Sequence, residues 1–126
     1  MSAASGAMTS IVINGVTLEA TERGQGRPIL FLHPGIGIDA NALAKGGHVI
    51  APTHPGFGKS ELPKGMSTVD DLSYFYLDLI EQRGLRDVLV VGVGMGGWIA
   101  AEMAVKSTER LSALVLGNPV GIKVGD

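Results

Sequence analysis

Between the apolar run Val88-Leu89-Val90-Val91 and the helix-forming stretch Gly97 to Lys106 stand five residues, Gly92-Val93-Gly94-Met95-Gly96. Glycine at every second position, at the end of a buried strand, points to one local geometry. It is a strand, a sharp turn and a helix, with backbones too close to admit a Cβ on either side of the turn. That is the placement of a nucleophile elbow. In the G-x-S-x-G form of this turn the central residue is a strained serine whose hydroxyl stands clear of the sheet. Here the centre is Gly94, which relaxes the backbone and supplies no oxygen.

The rest of the chain is punctuated to match. Ile11-Val12-Ile13 and Val16-Thr17-Leu18 flank Asn14-Gly15, the dipeptide best suited to a two-residue type I′ turn, so a β-hairpin opens the fold. Residues 1–10 carry no such pattern and are expected as a flexible lead. After the break from Arg23 to Pro28, Ile29-Leu30-Phe31-Leu32 is uniformly apolar, as a strand covered on both faces should be. His48-Val49-Ile50-Ala51 repeats that character after a short helical segment around Ala40 to Lys45.

Thr68-Val69-Asp70-Asp71 sets a capping residue three positions before an acid. Val69, Leu72, Tyr76, Leu79 and Ile80 then recur at helical spacing until Gly84. Asp87 to Val93 is the next buried strand, Gly97 to Lys106 the next helix, and Leu111 to Leu116 a further strand. The order predicts a single α/β domain over residues 11–126. Its architecture is a three-layer α/β/α sandwich on a mostly parallel sheet with right-handed crossovers and an N-terminal β-hairpin.

Composition removes several classes of function. A chain of 126 residues buries roughly two-thirds of its unfolded surface, enough for one core. Its net charge is −2 and its ten basic residues are scattered from Arg23 to Lys123, which gives no footprint for nucleic acid or an anionic membrane. With no cysteine, disulfides, thiolate catalysis and cysteine-bound zinc are excluded. The apolar stretch from Val88 to Ala101 is too short and glycine-broken to span a bilayer, and residues 1–10 lack the regions of a secretory signal; a cytoplasmic location is expected. The last strand is followed only by residues 117–126. Its open side is expected to favour self-association, or to be covered by further chain.

In open α/β sheets ligands bind beyond the carboxyl ends of the strands, where three glycine-rich turns converge. They are His33-Pro34-Gly35-Ile36-Gly37, His54-Pro55-Gly56-Phe57-Gly58-Lys59-Ser60 and the elbow. Together these turns resemble the α/β-hydrolase superfamily over its N-terminal portion, from Ile11 to Asp126, with a partial α/β-hydrolase fold. The resemblance implies serine-hydrolase ancestry with ester- or amide-type bond hydrolysis, and no cofactor. It puts Gly94 at the nucleophile position without a nucleophile, and the Met95 N–H at one oxyanion donor. The second donor comes from Gly35 or Ile36, since Pro34 has no N–H. It also implies an acid and a histidine from regions past Asp126, which leaves this sequence as an enzyme-like scaffold without its triad. Ile38 to Gly47 looks short for the family's first helix.

His33 and His54 line the same end of the sheet and are candidate pocket residues. The resemblance implies turn residues whose imidazoles bond local backbone, and with no acid placed to orient them they are disfavoured as catalytic bases. His48 reads as a strand residue, and the three histidines lack the spacing of a metal site. The resemblance implies that Ser60 supports its loop, and Gly58-Lys59-Ser60 fails as a phosphate loop because Thr53 stands where a glycine is required.

Asp70 and Asp71 read as helix-start acids, Tyr74 and Tyr76 as packing residues, and Trp98 as an anchor of helix to sheet. Gly92-Val93-Gly94-Met95-Gly96-Gly97 also satisfies G-x-G-x-x-G. The following strand nevertheless ends Leu116-Gly117-Asn118-Pro119 without the carboxylate a dinucleotide ribose requires. A non-catalytic small-molecule binding module, or a partial domain completed by a partner chain, is the other alternative.

Overall fold

Asn14 and Gly15 both take positive φ, 52° and 79°, the pair a type I′ turn demands, and they join β1 (Ala7–Ile13) to β2 (Val16–Arg23) as the expected hairpin. The computed structural model describes residues 7–33, 46–55, 60, 66 and 68–117. β1 begins at Ala7, inside the stretch expected to be a flexible lead. The eight residues of β2 offer backbone partners as far as Glu22, which pairs with Ala7, so strand pairing there needs no apolar alternation. The remaining elements are β3 (Pro28–Leu32), β4 (His48–Pro52), α1 (Val69–Gln82), β5 (Val88–Val93), α2 (Met95–Lys106) and β6 (Leu111–Gly117).

The strands form one six-stranded mixed sheet in the order β1-β2-β4-β3-β5-β6, antiparallel through β2–β4 and parallel from β4 through β6. This is an α/β fold with an N-terminal antiparallel hairpin. Strand alternation explains why the central segments read as uniformly apolar. Leu30 and Leu32 face α1 and α2 and join Ile50, Val88, Val90, Phe75, Leu79, Ile99 and Met103 in the main core. Ile29, Phe31, Val49 and Val91 form a second apolar cluster on the opposite face. The helix expected around Ala40 to Lys45 lies outside the described residues, as does the segment Ile38 to Gly47 judged short for the family's first helix, apart from Gly46 and Gly47. None of the described helices is long and apolar enough to cross a membrane.

α1 is capped as its sequence predicts: Thr68 Oγ1 accepts from the Asp71 N–H at 3.0 Å, and the Asp71 carboxylate accepts from the Thr68 N–H at 3.2 Å. α2 starts at Met95, two residues before its apolar pattern, because the Gly94 carbonyl already accepts from the N–H groups of Gly97 at 2.9 Å and Trp98 at 3.3 Å. Two packing expectations fail. Trp98 is 70% exposed, since Ile99, Ala100 and Met103 occupy the buried face of α2 and put Trp98 on the other side. Tyr74 is also exposed, with Lys106 Nζ 4.7 Å from its ring centroid. Asp70 does more than meet the helix dipole, for Lys106 bridges it at 2.6 Å and Glu102 at 3.0 Å, tying α2 to α1.

Candidate functional site

The chain leaves β3 toward β4 on one side of the sheet and leaves β5 toward β6 on the other, so the connections diverge between neighbours β3 and β5. Divergence of this kind opens a crevice at the carboxyl ends of the two strands. His33 follows β3 and Gly94 follows β5, which puts the first turn and the elbow side by side.

Gly94 has φ 58° and ψ −122°, a conformation that glycine takes freely and that strains any residue bearing a Cβ. Its own N–H donates to the Gly117 carbonyl at 3.1 Å, so the turn is anchored to β6 as well as to α2. The flanking glycines answer to packing. A Cβ on Gly92 would overlap the Gly96 carbonyl oxygen and sit 2.8 Å from Gly97 Cα. One on Gly96 would overlap the Leu32 carbonyl oxygen and sit 2.8 Å from that of His33. The end of β3 and the first turn of α2 are therefore in backbone contact. As the first residue of α2, Met95 has no intrahelical partner for its N–H, and the positive end of the helix dipole lies there. Gly35 and Ile36, expected to supply the second oxyanion donor, lie outside the described residues, as do Gly56 to Lys59.

His54 is fully buried and ties three segments together. Its Nε2 lies 2.8 Å from the His33 carbonyl, which only accepts, so Nε2 carries the proton. Nδ1 then accepts from the Tyr76 hydroxyl at 2.6 Å, and the His54 backbone N–H donates to His33 Nε2 at 2.9 Å. The two imidazoles stack with centroids 3.8 Å apart. Burial, reinforced by the neighbouring His33, pushes the His54 imidazole down to about 3, and burial lowers that of His33 too. Burial lifts the Tyr76 hydroxyl well above its ordinary range. With both ring nitrogens of His54 and Nε2 of His33 engaged in holding loops, these groups act as struts at the end of the sheet.

Ser60 plays the same part, its hydroxyl donating to the Thr53 carbonyl at 2.8 Å and accepting from the Glu19 N–H at 3.1 Å.

Tyr76 is the residue the sequence pattern undervalued. It shares the buried phase of α1 with Leu79 and Ile80, and a phenol buried there requires a partner for its hydroxyl. His48 likewise does more than occupy a strand. Its Nε2 lies 3.0 Å from Glu22, whose carboxylate also takes two bonds from Arg83 at 3.0 and 3.2 Å. Burial alone would raise the Glu22 carboxyl, but Arg83 and His48 outweigh it and hold the group below its ordinary value. This cluster lies on β2, β4 and the end of α1, apart from the elbow. Among the described residues no group of three His, Asp or Glu side chains could hold a metal ion.

The sequence from residue 29 to residue 126 matches the family described as "Alpha/beta hydrolase family". The chain belongs to the alpha/beta hydrolase family. This hydrolase-family chain is 32% identical over 122 residues to 2-hydroxymuconate semialdehyde hydrolase of Pseudomonas sp. (strain CF600), covering 89% of this chain and 43% of that protein. It is 30% identical over 117 residues to the dihydrolipoyllysine-residue acetyltransferase component of the acetoin cleaving system of Cupriavidus necator, covering 86% and 31%. Among solved structures, epoxide hydrolase CorEH without ligand superposes with a TM-score of 0.80 at 27% identity, covering 96% of this chain and 46% of that one. The alpha/beta hydrolase chain thus spans less than half the length of each of these relatives.

Proposed function

We propose that this alpha/beta hydrolase chain descends from serine hydrolases cleaving ester- or amide-type bonds and does not turn over substrate by the serine route. The observation that carries the reading is Gly94: it holds the φ and ψ of a strained elbow between β5 and α2, and presents no side-chain oxygen. The Met95 N–H is assigned as one oxyanion donor and Gly35 or Ile36 as the other. Such donors accelerate acyl transfer only after something has attacked the carbonyl. His33 and His54, the histidines at this end of the sheet, are committed to structural hydrogen bonds. The relatives' names span a semialdehyde hydrolase, an acetyltransferase component and an epoxide hydrolase, so the shared scaffold identifies a class of chemistry and no particular substrate. A second reading, a non-catalytic small-molecule binder, is supported by the crevice between β3 and β5.

An activated-ester assay with p-nitrophenyl acetate tests the first reading. The expected result is no burst and no rate above that of denatured protein; a stoichiometric acyl-enzyme refutes it. Gly94→Ser is expected to remain nearly inactive, because His33 and His54 beside the elbow are held in structural hydrogen bonds and a serine without a base is a weak nucleophile. The variant should also lose about 1–3 kcal/mol of stability, since serine must take the strained backbone. Robust turnover by it would show that a histidine on this chain serves as base.

A further inference from the structure

The turn of the β1–β2 hairpin is tied to α1 by the side chain of Asn14. Its Nδ2 donates to the Asp78 carboxylate at 2.8 Å, and its Oδ1 accepts from Gln82 Nε2 at 2.7 Å. Asp78 and Gln82 stand four residues apart on α1, so they share one face and present an acceptor and a donor to the two ends of one amide. A type I′ turn takes aspartate as readily as asparagine before glycine, which leaves the choice of amide over acid to α1. An aspartate at position 14 would set one carboxylate against another at Asp78. Asn14-Gly15 is also the one Asn-Gly pair in the sequence, since Asn41 precedes Ala42 and Asn118 precedes Pro119. Both turn residues are exposed. The strand register closes at Ile13 and Val16, which leaves the Gly15 N–H outside it, and the space into which a Cβ on Gly15 would project is open.

We propose that Asn14 is a site of spontaneous deamidation, and that its product opens the tie between the hairpin and α1. The Gly15 amide nitrogen gives its proton to water or hydroxide and attacks Asn14 Cγ. The new C–N bond closes a succinimide ring, the Cγ–Nδ2 bond breaks, and Nδ2 takes up a proton and leaves as ammonia. Water then cleaves one of the two imide C–N bonds, and the Gly15 nitrogen recovers its proton. Cleavage at Cγ leaves isoaspartate's alternative, ordinary aspartate, whereas cleavage at the main-chain carbonyl leaves isoaspartate, with the backbone routed through Cγ. One water is consumed, one ammonia is released, and nothing is oxidised or reduced. Glycine permits the attack because no Cβ crowds its nitrogen. The bonds to Asp78 and Gln82 hold both ends of the amide, so the reaction starts from the state in which they have opened, and α1 sets its rate. Either product replaces the Nδ2 donor with a carboxylate oxygen beside that of Asp78, so the tie does not re-form. The reaction is independent of the chemistry at residue 94.

Peptide mapping by mass spectrometry, on the full chain held at mildly alkaline pH, follows the reaction in the tryptic segment ending at Arg23, where Asn14 is the only asparagine. That segment should gain about 1 Da and resolve into aspartate and isoaspartate forms, well ahead of any change at Asn41 or Asn118. Pro119 has no amide proton to lose, and Ala42 carries a Cβ. Asp78→Ala and Gln82→Ala each free one end of the amide and should convert about 2- to 10-fold faster, the factor that one hydrogen bond supplies. Asn14→Asp makes the ordinary product directly and folds, because the turn accepts either residue. It should melt about 2–8 °C below the native chain. Asp78→Asn added to it should recover most of that shift, since amide again meets carboxylate with the roles exchanged. Asn14 left intact after a free peptide of residues 10–19 has fully converted overturns the proposal. Unchanged rates in both α1 variants, or an Asn14→Asp chain that melts with the native one, overturn it as well.

Discussion

Acidification from pH 7 to pH 5 should destabilise this chain chiefly through one imidazole. His54 has a folded value of about 3 against an ordinary 6.5, because burial and the proximity of His33 disfavour its charged form. A histidine lowered by folding is neutral in the native state and protonated in the unfolded state between those two values. Its contribution is therefore fully present above pH 6.5 and is lost as pH falls toward 3. Over the whole window the loss is about 5 kcal/mol. From pH 7 to pH 5, linkage gives about 2 kcal/mol, or roughly 6–10 °C in melting temperature for a domain of this size. Glu22 does not contaminate that interval. Its carboxyl is lowered from an ordinary 4.5, so the stability it adds is lost only below that pH.

The assay is urea unfolding of the native chain and of His54→Gln at both pH values. The variant is less stable throughout, because Tyr76 and the His33 carbonyl each lose a buried partner, but the quantity read is the difference between the two pH dependences. The native chain should lose about 2 kcal/mol more than the variant. Any slope left in the variant belongs mainly to His33, which burial shifts in the same direction. Equal pH dependence in the two proteins would refute the reasoning, since it would mean that His54 is solvated or already charged when folded.

Two further perturbations separate packing from local propensity. Gly96→Ala drives a Cβ into the backbone carbonyls of Leu32 and His33, which cannot rotate away, and should lower stability by at least the 1–3 kcal/mol of an overpacked core. Gly97→Ala meets its nearest backbone atom at 3.4 Å and should change stability by no more than about 1 kcal/mol, both read from urea midpoints. Thr68→Ala removes the capping hydroxyl from α1 and should cost about 1 kcal/mol, with calorimetry as the check.

Local signals explain what was legible in the sequence. Asn14-Gly15, the Thr68 to Asp71 box and the elbow glycines act over a few residues, and each stands where its pattern requires. What escaped notice depends on contacts between segments far apart in sequence. Tyr76 meets His54 across 22 positions, and Arg83 meets Glu22 across 61. Element ends were blurred for a related reason: β1 extends to Ala7 by pairing with β2, and α2 starts at Met95 by bonding to the Gly94 carbonyl, neither of which alters side-chain periodicity. Trp98 misled because aromatic size predicts burial only when helical phase agrees.

The glycines of the turn, alike in sequence, answer to different forces, and the difference bears on which of them could be replaced. Gly92 and Gly96 are fixed by neighbouring backbone, so a side chain at either would push β3, β5 and α2 apart. Gly94 is fixed by its torsion angles, a demand that other residues meet at a cost of about 1–3 kcal/mol. A scaffold with a margin of about 5–15 kcal/mol tolerates that strain, whereas backbone overlap consumes the margin while adding no chemistry. Position 94 is therefore where the junction could take a side chain and keep its shape. The packing glycines preserve the elbow's form whether or not a nucleophile stands at its centre.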